Sequence, residues 1–595
     1  MLEDASFRYS DRSSFAAIRI PGRPARRTAF ILASLCYATI LSSPALAQIS
    51  VSPALEPGRI DQNFEQPLEA QSEPRNRPEQ ATPPQQGTFA PDMDFVLRDL
   101  RIVGATAIDT DRLLATWHHV PGDTITVAEV EALANTISRA YSDAGYALSF
   151  AFLPAQKIED GAVTIRVVEG YIDEVVLAGP AVEQGRMGPS RGVVLRLTER
   201  IRNSRPLRAA DLERYLLLMN DLPGLTVGAT LSPSPSASGG SVITLEIRRD
   251  SVSAELGYNS FLPRELKRNA IGAALRLNGY ITGSDQLRLS TMHSLVPGAY
   301  RSVSGDYSTW LGSDGFRLEL AASYSRTEPT SKALREIAYI GKSVNARVGI
   351  SYPVIRSRAR NLNLSAGVSL SNSDVDVLST PLQRDRLRTI DASATYDFAG
   401  PGRSVNLVRV GLSKGVKVLD ARGDSRANGS AAYIVADVDL QTDVPVVTLG
   451  RGQVSIFASA FGQKAFNRPL LSATECGFGG RQFGRAFDAG IATGDHCLLG
   501  SAELRLTAPV YLRISPQPFA IQLYGLIDFG MIRQRGALQP EELRSETGAS
   551  AGAGVRLSIS DVASAGFEAT HSLRTPAARA NDKGLHLNGS VSLRF

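Results

Sequence analysis

The sequence predicts two tandem α+β domains followed by a transmembrane antiparallel β-barrel of about 16 strands. Three observations carry that expectation. The first is the C-terminus. In Leu585–Phe595, Leu585, Leu587, Val591, Leu593 and Phe595 share one face of a period-two pattern, and His586, Asn588, Ser590, Ser592 and Arg594 share the other. An apolar outside, a polar inside and a final aromatic residue fit the closing strand of an outer-membrane barrel. The second is an N-terminal export signal. The third is a β-α-α-β-β order that occurs twice ahead of the barrel.

Arg19, Arg23, Arg26 and Arg27 precede an apolar stretch from Ala29 to Leu41, and Ala45-Leu46-Ala47 supplies a small-x-small cleavage site. Residues 1–47 therefore read as a signal peptide, with the mature chain starting at Gln48. That segment holds six arginines and three acidic residues, so the net charge of +5 falls to about +2 on its removal. A balance so close to neutral gives no ground for a nucleic-acid partner. Of the 595 residues, 43% are hydrophobic, and no mature segment approaches the 18–20 apolar residues of a spanning helix. A helical-bundle membrane protein is excluded. Cys36 leaves with the signal; Cys476 and Cys497 remain, an even pair in an exported chain that reads as a disulfide stapling one Gly-rich loop.

Residues 48–93 are rich in Pro, Gln and Glu and form a linker, with a possible short plug helix at 57–65. The first domain occupies 94–170. Phe95–Val103 alternates as a strand, Asp109 or Thr110 caps a short helix, and Thr126 caps a longer one ended by Gly145. On that helix Val130, Leu133, Ala134, Ile137, Ala140 and Tyr141 make one apolar face. Tyr146–Leu153 and Ala162–Val168 complete the unit as strands. The second domain, 171–249, repeats the order: strand Ile172–Leu177, helices Val193–Ile201 and Ala210–Asn220, strands Leu225–Leu231 and Val242–Ile247. From 250 to 595 short alternating runs follow one another. Leu362, Leu364, Ala366, Val368 and Leu370, for example, oppose Asn361, Asn363, Ser365 and Ser369. Such runs suit a barrel, where closure satisfies every backbone group. Counting at roughly 20 residues per strand and connection gives about 16 strands, with 14 or 18 equally open.

Three stretches resemble a known family. Leu153-Pro154-Ala155-Gln156 with Val163-Thr164-Ile165-Arg166-Val167-Val168-Glu169-Gly170 is similar to the turn and strand of a first POTRA (polypeptide-transport-associated) domain. Gly484-Arg485-Ala486-Phe487 resembles the tip motif of the sixth extracellular loop, with Gly484 and Ala486 standing where Val and Gly are usual. Leu526-Ile527-Asp528-Phe529-Gly530 resembles the F-x-D-x-G strand motif. The chain is thereby identified as similar to the two-partner secretion transporters, the TpsB group of haemolysin secretion/activation proteins.

The resemblance implies export of an unfolded TpsA-type exoprotein, an adhesin or haemolysin, driven without ATP by folding outside the cell. It implies a lumenal lock between Arg485 and Asp528. Spacing supports the partner, since Phe519, Ile521 and Leu523 fall on one parity and Asp528 on the other. Substrate is expected to add as a strand to a POTRA edge near Tyr146, Leu148, Phe150 and Phe152, or near Leu225 and Val227. Leu593 and Phe595 match the end of a barrel assembly signal, so the assembly machinery and outer-membrane lipid or lipopolysaccharide are expected partners. A barrel insertase is the alternative, although such proteins tend to carry three or more POTRA units. A diffusion porin has no use for two, and a barrel enzyme lacks a nucleophile arrangement. No cofactor or metal is expected; the adjacent His118 and His119 are poorly placed to share one ion.

Overall fold

The protein is described from a computed structural model covering residues 53–64, 68–72, 93–158, 160–235, 238–426, 428–511, 519–536, 538, 543–560, 562–577 and 584–595. The expected signal peptide and most of the 48–93 linker lie outside the described residues.

In the first domain, strand Asp99–Val103 runs parallel to Ala162–Val168, which pairs on its other side with Phe150–Phe152. Helix Val127–Asp143 covers one face of this sheet. Its start is fixed by a capping box: Glu129 N–H donates to Thr126 Oγ1 (3.2 Å) and Thr126 N–H donates to the Glu129 carboxylate (2.7 Å). Val130, Leu133, Ala134, Ile137 and Tyr141 are buried at helical spacing against Val163, Ile165 and Val167. Gly145, at φ +90°, lets the chain leave.

Two expectations are corrected here. The single strand Phe95–Val103 is two strands, because the backbone changes partner at its middle. Asp94–Val96 pairs with Thr124–Thr126, whereas Arg98 N–H turns to Gly161 C=O (2.8 Å) and Asp99–Val103 joins the main sheet. The strand Tyr146–Leu153 shrinks to Phe150–Phe152, because Tyr146 N–H bonds back to Tyr141 C=O (2.9 Å) and Ser149 N–H to Tyr146 C=O (3.0 Å). The first half of that segment is a turn.

The second domain repeats the plan. Tyr171–Ala178 is parallel to Gly240–Arg249, which pairs with Leu225–Pro233 at the edge. Helices Ser190–Arg202 and Ala209–Asn220 cover the sheet around Val194, Leu197, Leu218 and Ile243. An unanticipated one-turn helix, Pro180–Glu183, starts at Gly179 in the left-handed region, with proline at its first position. The two domains are joined by backbone bonds from Leu207 N–H to Gly170 C=O and from Ala209 N–H to Gly145 C=O, both 2.8 Å.

Sixteen antiparallel strands, from Val252–Asn259 to Leu585–Arg594, close a barrel. The last strand pairs with the first from Ser590↔Asn259 to Arg594↔Glu255. Outward positions are apolar and exposed, as at Leu364, Val368, Ile527 and Leu587, which suits lipid. No helix of the described residues is long and apolar enough to cross a membrane.

One end of the barrel meets the second domain. Trp310 inserts into that domain's core, Arg356 makes a bidentate pair with Asp221 (both contacts 2.7 Å), and Ser190 Oγ donates to Gly283 C=O (2.9 Å). The other end carries the long loops.

Candidate lumenal lock and domain edges

The loop between strands Gly452–Ala465 and His496–Val510 folds inward through a small hairpin, Cys476–Phe478 with Ala492–Gly494. A disulfide joins Cys476 to Cys497, with Cα atoms 6.3 Å apart, and so fastens the base of this hairpin to the barrel wall. Phe478 is 1% exposed. Its ring lies on Gly484, Gly530 and Gly548, the last two directly paired across neighbouring strands, and a Cβ on either would run into the ring. The glycine of the Leu526–Gly530 motif is therefore a seat for an aromatic ring of the loop. Phe478 escaped the sequence reading; its signal was the registered glycine pair, visible only once strand pairing is known.

Arg485 sits at the tip and is 6% exposed. Asp528, on strand Phe519–Arg533, accepts from Arg485 backbone N–H (2.9 Å), Nε (3.2 Å) and Nη2 (2.9 Å), and from Ser550 Oγ (3.0 Å). Arg485 Nη2 also donates to Ser501 Oγ (2.7 Å), and Nη1 to Glu503. Its own C=O accepts from Thr570 Oγ1 (3.1 Å) and Asn588 Nδ2 (3.4 Å). One loop residue thus touches four of the last five barrel strands, and the fifth reaches it through Ser550 and Asp528. Glu503 takes Arg556 (2.8 and 2.9 Å) and Arg505 (2.8 Å) as well. Glu568 lies 4.0 Å from Arg485 and accepts from Tyr524 OH at 3.1 Å. Arg505 also pairs with Asp443 (3.0 Å), so each of the three arginines has a carboxylate partner. Of these residues, sequence reasoning found Arg485 and Asp528 and missed Glu503, Ser501, Ser550, Glu568 and Arg556. Gly484 takes φ +79°, and Ala486 and Phe487 are buried, Phe487 packing on Phe478 at 5.6 Å.

Helix Pro57–Phe64 lies inside the barrel between this loop and the wall. Arg59 donates to the carbonyls of Glu475 (3.2 Å) and Ser472, and Arg481 N–H donates to Asn63 Oδ1 (3.0 Å). On the wall side, Tyr300 OH donates to Asp61 and Thr327 Oγ1 to Leu55 C=O (3.1 Å). Leu55 and Ile60 pack among Tyr300, Tyr339, Val375 and Leu266. A cavity of about 920 Å³ remains beside the helix, with serines prominent in its wall. At the base of the loop, buried Arg426 pairs with Asp495 (2.9 Å) and Glu475 (3.2 Å).

Both edge strands named from the sequence lie at sheet edges, and both are partly closed. Ala151 N–H donates to Ser138 Oγ (2.9 Å), whose hydroxyl is also 3.1 Å from Ala151 C=O. Val227 N–H donates to Asn220 Oδ1 (2.8 Å), and Asn220 Nδ2 donates to Val227 C=O (3.0 Å). In each domain a helix side chain takes the place of a neighbouring strand. Phe150 and Phe152 are half-buried neighbours, 5.9 Å between rings. Tyr146 is buried in the first core, Leu148 packs on the second, and Leu225 and Val227 face inward. The parity of Leu225 and Val227 continues to Ala229 and Leu231, which are exposed beyond the core.

Gln156 and Glu169 have defined structural roles. The Gln156 amide pairs with Thr164 backbone, donating to its C=O (2.8 Å) and accepting from its N–H (2.9 Å). The Glu169 carboxylate accepts from the N–H groups of Thr106 (2.6 Å) and Ala107 (2.7 Å), from Thr106 Oγ1, and from Tyr141 OH (2.7 Å). Burial pushes this carboxyl up, but those donors outweigh it and hold it below the usual range. Leu593 and Phe595 lie on the outward face of the closing strand.

Comparison with known proteins agrees with this architecture. The family description "POTRA domain, ShlB-type" matches residues 95–170, and "haemolysin secretion/activation protein ShlB/FhaC/HecB" matches residues 239–557. The heme/hemopexin transporter protein HuxB of Haemophilus influenzae (strain 86-028NP) is 23% identical over 444 residues, 72% of this chain and 76% of that protein. The outer membrane transporter CdiB of Escherichia coli O6:K15:H31 (strain 536 / UPEC) is 26% identical over 245 residues, 38% of this chain and 39% of that protein. Among solved structures, CdiB from Escherichia coli superposes with a TM-score of 0.68 at 19% identity, covering 86% of this chain and 92% of that one. CdiB from Acinetobacter baumannii gives a TM-score of 0.61 at 15% identity, covering 90% and 95%.

Proposed function

The chain belongs to the ShlB/FhaC/HecB family of haemolysin secretion/activation proteins, outer-membrane transporters of two-partner secretion, and from that premise we propose how its parts share the work. The two POTRA-like domains, 94–170 and 171–249, face the periplasm and receive an unfolded TpsA-type exoprotein. The barrel, 250–595, passes it outward. The family implies a secreted partner; an adhesin or haemolysin is the kind we propose. Lipopolysaccharide around the barrel and the assembly machinery that inserts it are further proposed partners.

The observation that carries the gating part is the filled lumen. Helix Pro57–Phe64 and the loop tip occupy it through hydrogen bonds and ion pairs, beside the apolar contacts of Ile60 and Phe478. Export then requires the helix to leave and the tip to move, and the Arg485–Asp528 pair returns the loop to one resting position. The Cys476–Cys497 staple limits how far its base travels.

Substrate capture uses strand addition, whose backbone hydrogen bonds tolerate many sequences. Ser138 and Asn220 close the edge at Ala151 and Val227, so the open stretch is Ala229–Pro233 of the second domain. Deleting residues 94–170 is expected to abolish secretion of the partner while the barrel still inserts and keeps its heat-modifiable gel mobility. Normal secretion by that deletion would sink the receptor role of the first domain.

A further inference from the structure

At the loop end of the barrel, the lipid-facing wall carries a cluster of cations. Lys464 pairs in register with His496, and His496 with Arg533, on three neighbouring strands. These positions share the outward parity of Leu498, Ile527, Phe529 and Met531, which are exposed apolar residues just below them. Arg535 and Arg544 complete the rim of a cavity of about 530 Å³. Arg544 donates to the carbonyl of Gly536 (2.7 Å), and Arg535 N–H to Asp495 (2.7 Å). The Lys464 ammonium lies 5.5 Å from the ring centre of exposed Phe466.

No described carboxylate forms an ion pair with Lys464, Arg533, Arg535 or Arg544; Asp495 is fully buried and engaged by Arg426. Glu541 and Glu542 lie outside the described residues. His496 Nδ1 accepts from Ala465 N–H (3.3 Å), so its ring is a neutral spacer in register between Lys464 and Arg533, and the cations gathered on this face are Lys464, Arg533, Arg535 and Arg544. A cluster of cations facing outward at the upper margin of an apolar belt is relieved by a bound anion, and the belt gives that anion an acyl chain to belong to.

We infer that Lys464, His496, Arg533, Arg535 and Arg544 form a binding site for the phosphate-bearing headgroup of an outer-leaflet glycolipid, with its acyl chains lying along the Leu498–Met531 surface. Guanidinium forks suit phosphate oxygens, and the Lys464 ammonium adds a point charge. The site fixes the barrel's depth beside the strands that hold the loop lock. Its assignment to the outer leaflet rests on the orientation proposed above.

The test uses the full-length protein, stripped of lipid in detergent, with binding read by native mass spectrometry. The probes are bis-phosphorylated lipid A, the same lipid without its phosphates, and inorganic phosphate. Bis-phosphorylated lipid A is expected to bind, and Lys464→Gln with Arg533→Gln to weaken it on the order of tenfold or more. Lys464→Arg with Arg533→Lys is expected to retain binding, and heat-modifiable mobility shows that both double variants close their barrels. Equal binding of the dephosphorylated lipid, or equal binding by the neutral variant, overturns the site. Displacement of the lipid by inorganic phosphate at equal concentration overturns the glycolipid as its occupant. Secretion is scored in parallel: failure of the wild-type chain to export a partner counts against the transport reading alone and leaves the lipid result standing.

Discussion

Arg485 is held by more than the aspartate that its spacing suggests. Removing the Asp528 carboxylate leaves a buried guanidinium with Glu503 and Ser501, and the loss of one member of such a pair costs about 3–5 kcal/mol. Asp528→Ala is therefore expected to free the tip and expose Arg481 and Arg485 to trypsin while the barrel stays closed. Limited proteolysis checks it, and an unchanged digest counts against the lock. The network also bears on a charge exchange. An aspartate at 485 would face Glu503 and Glu568, so the reciprocal Arg485→Asp, Asp528→Arg exchange is expected to restore the resting loop only in part. The glycine seat gives a second residue-scale prediction. Gly530→Val drives a side chain into Phe478, whereas Gly525→Val, five residues earlier on the same strand, meets nothing within 4 Å. The first is expected to raise ion conductance in planar bilayers and the second to leave it unchanged. Equal conductance for both would remove Phe478 from the gate.

At the scale of elements, Glu169 joins the loop at Thr106 and Ala107 to helix Val127–Asp143 and to the end of strand Ala162–Val168. Its folded carboxyl titrates below the ordinary glutamate value of about 4.3. The stability it supplies is thus present above that value and lost as pH falls through the lower folded one. Hydrogen exchange in residues 162–168 is expected to show protection falling as pH drops below about 4.3, and a flatter profile in Glu169→Gln. Parallel profiles would contradict the assignment. Sequence periodicity found the longer helices and most sheet strands of the two domains, and the alternation of the barrel, because burial on one face writes a 3.6 or 2.0 repeat into the chain. It failed at Phe95–Val103 and Tyr146–Leu153, where alternation continues but the backbone changes partner. Pattern records which side chains are buried, and hydrogen-bond partners have no comparable signature. The pore helix was equally faint: Pro57–Phe64 has little more than two turns, and its polar groups bond to the loop and wall and not to an apolar core.

At the scale of the molecule, the second domain is fixed to the barrel by Trp310 and the Asp221–Arg356 pair, and the first domain to the second by backbone bonds. None of these contacts was legible in the sequence, since each joins residues far apart in the chain with no local pattern. The barrel was legible from alternation, its strand number only as about 14 to 18 from length, and the Arg485–Asp528 pairing through the resemblance of its two motifs to a known family, with strand parity in support. With both domains so anchored, the pore helix and the loop tip are the parts that the proposed gating sets in motion. The most direct measurement bridges those two, at Asn63 and Arg481, where the loop backbone meets the helix at 3.0 Å. Cells expressing the Asn63→Cys, Arg481→Cys double variant would be scored for secretion of the partner exoprotein with the bridge closed and after its reduction, beside the wild-type chain given the same reductant. The account predicts secretion lost while the bridge holds and regained when it opens. Full secretion through a barrel whose helix remains bridged to the loop would contradict it.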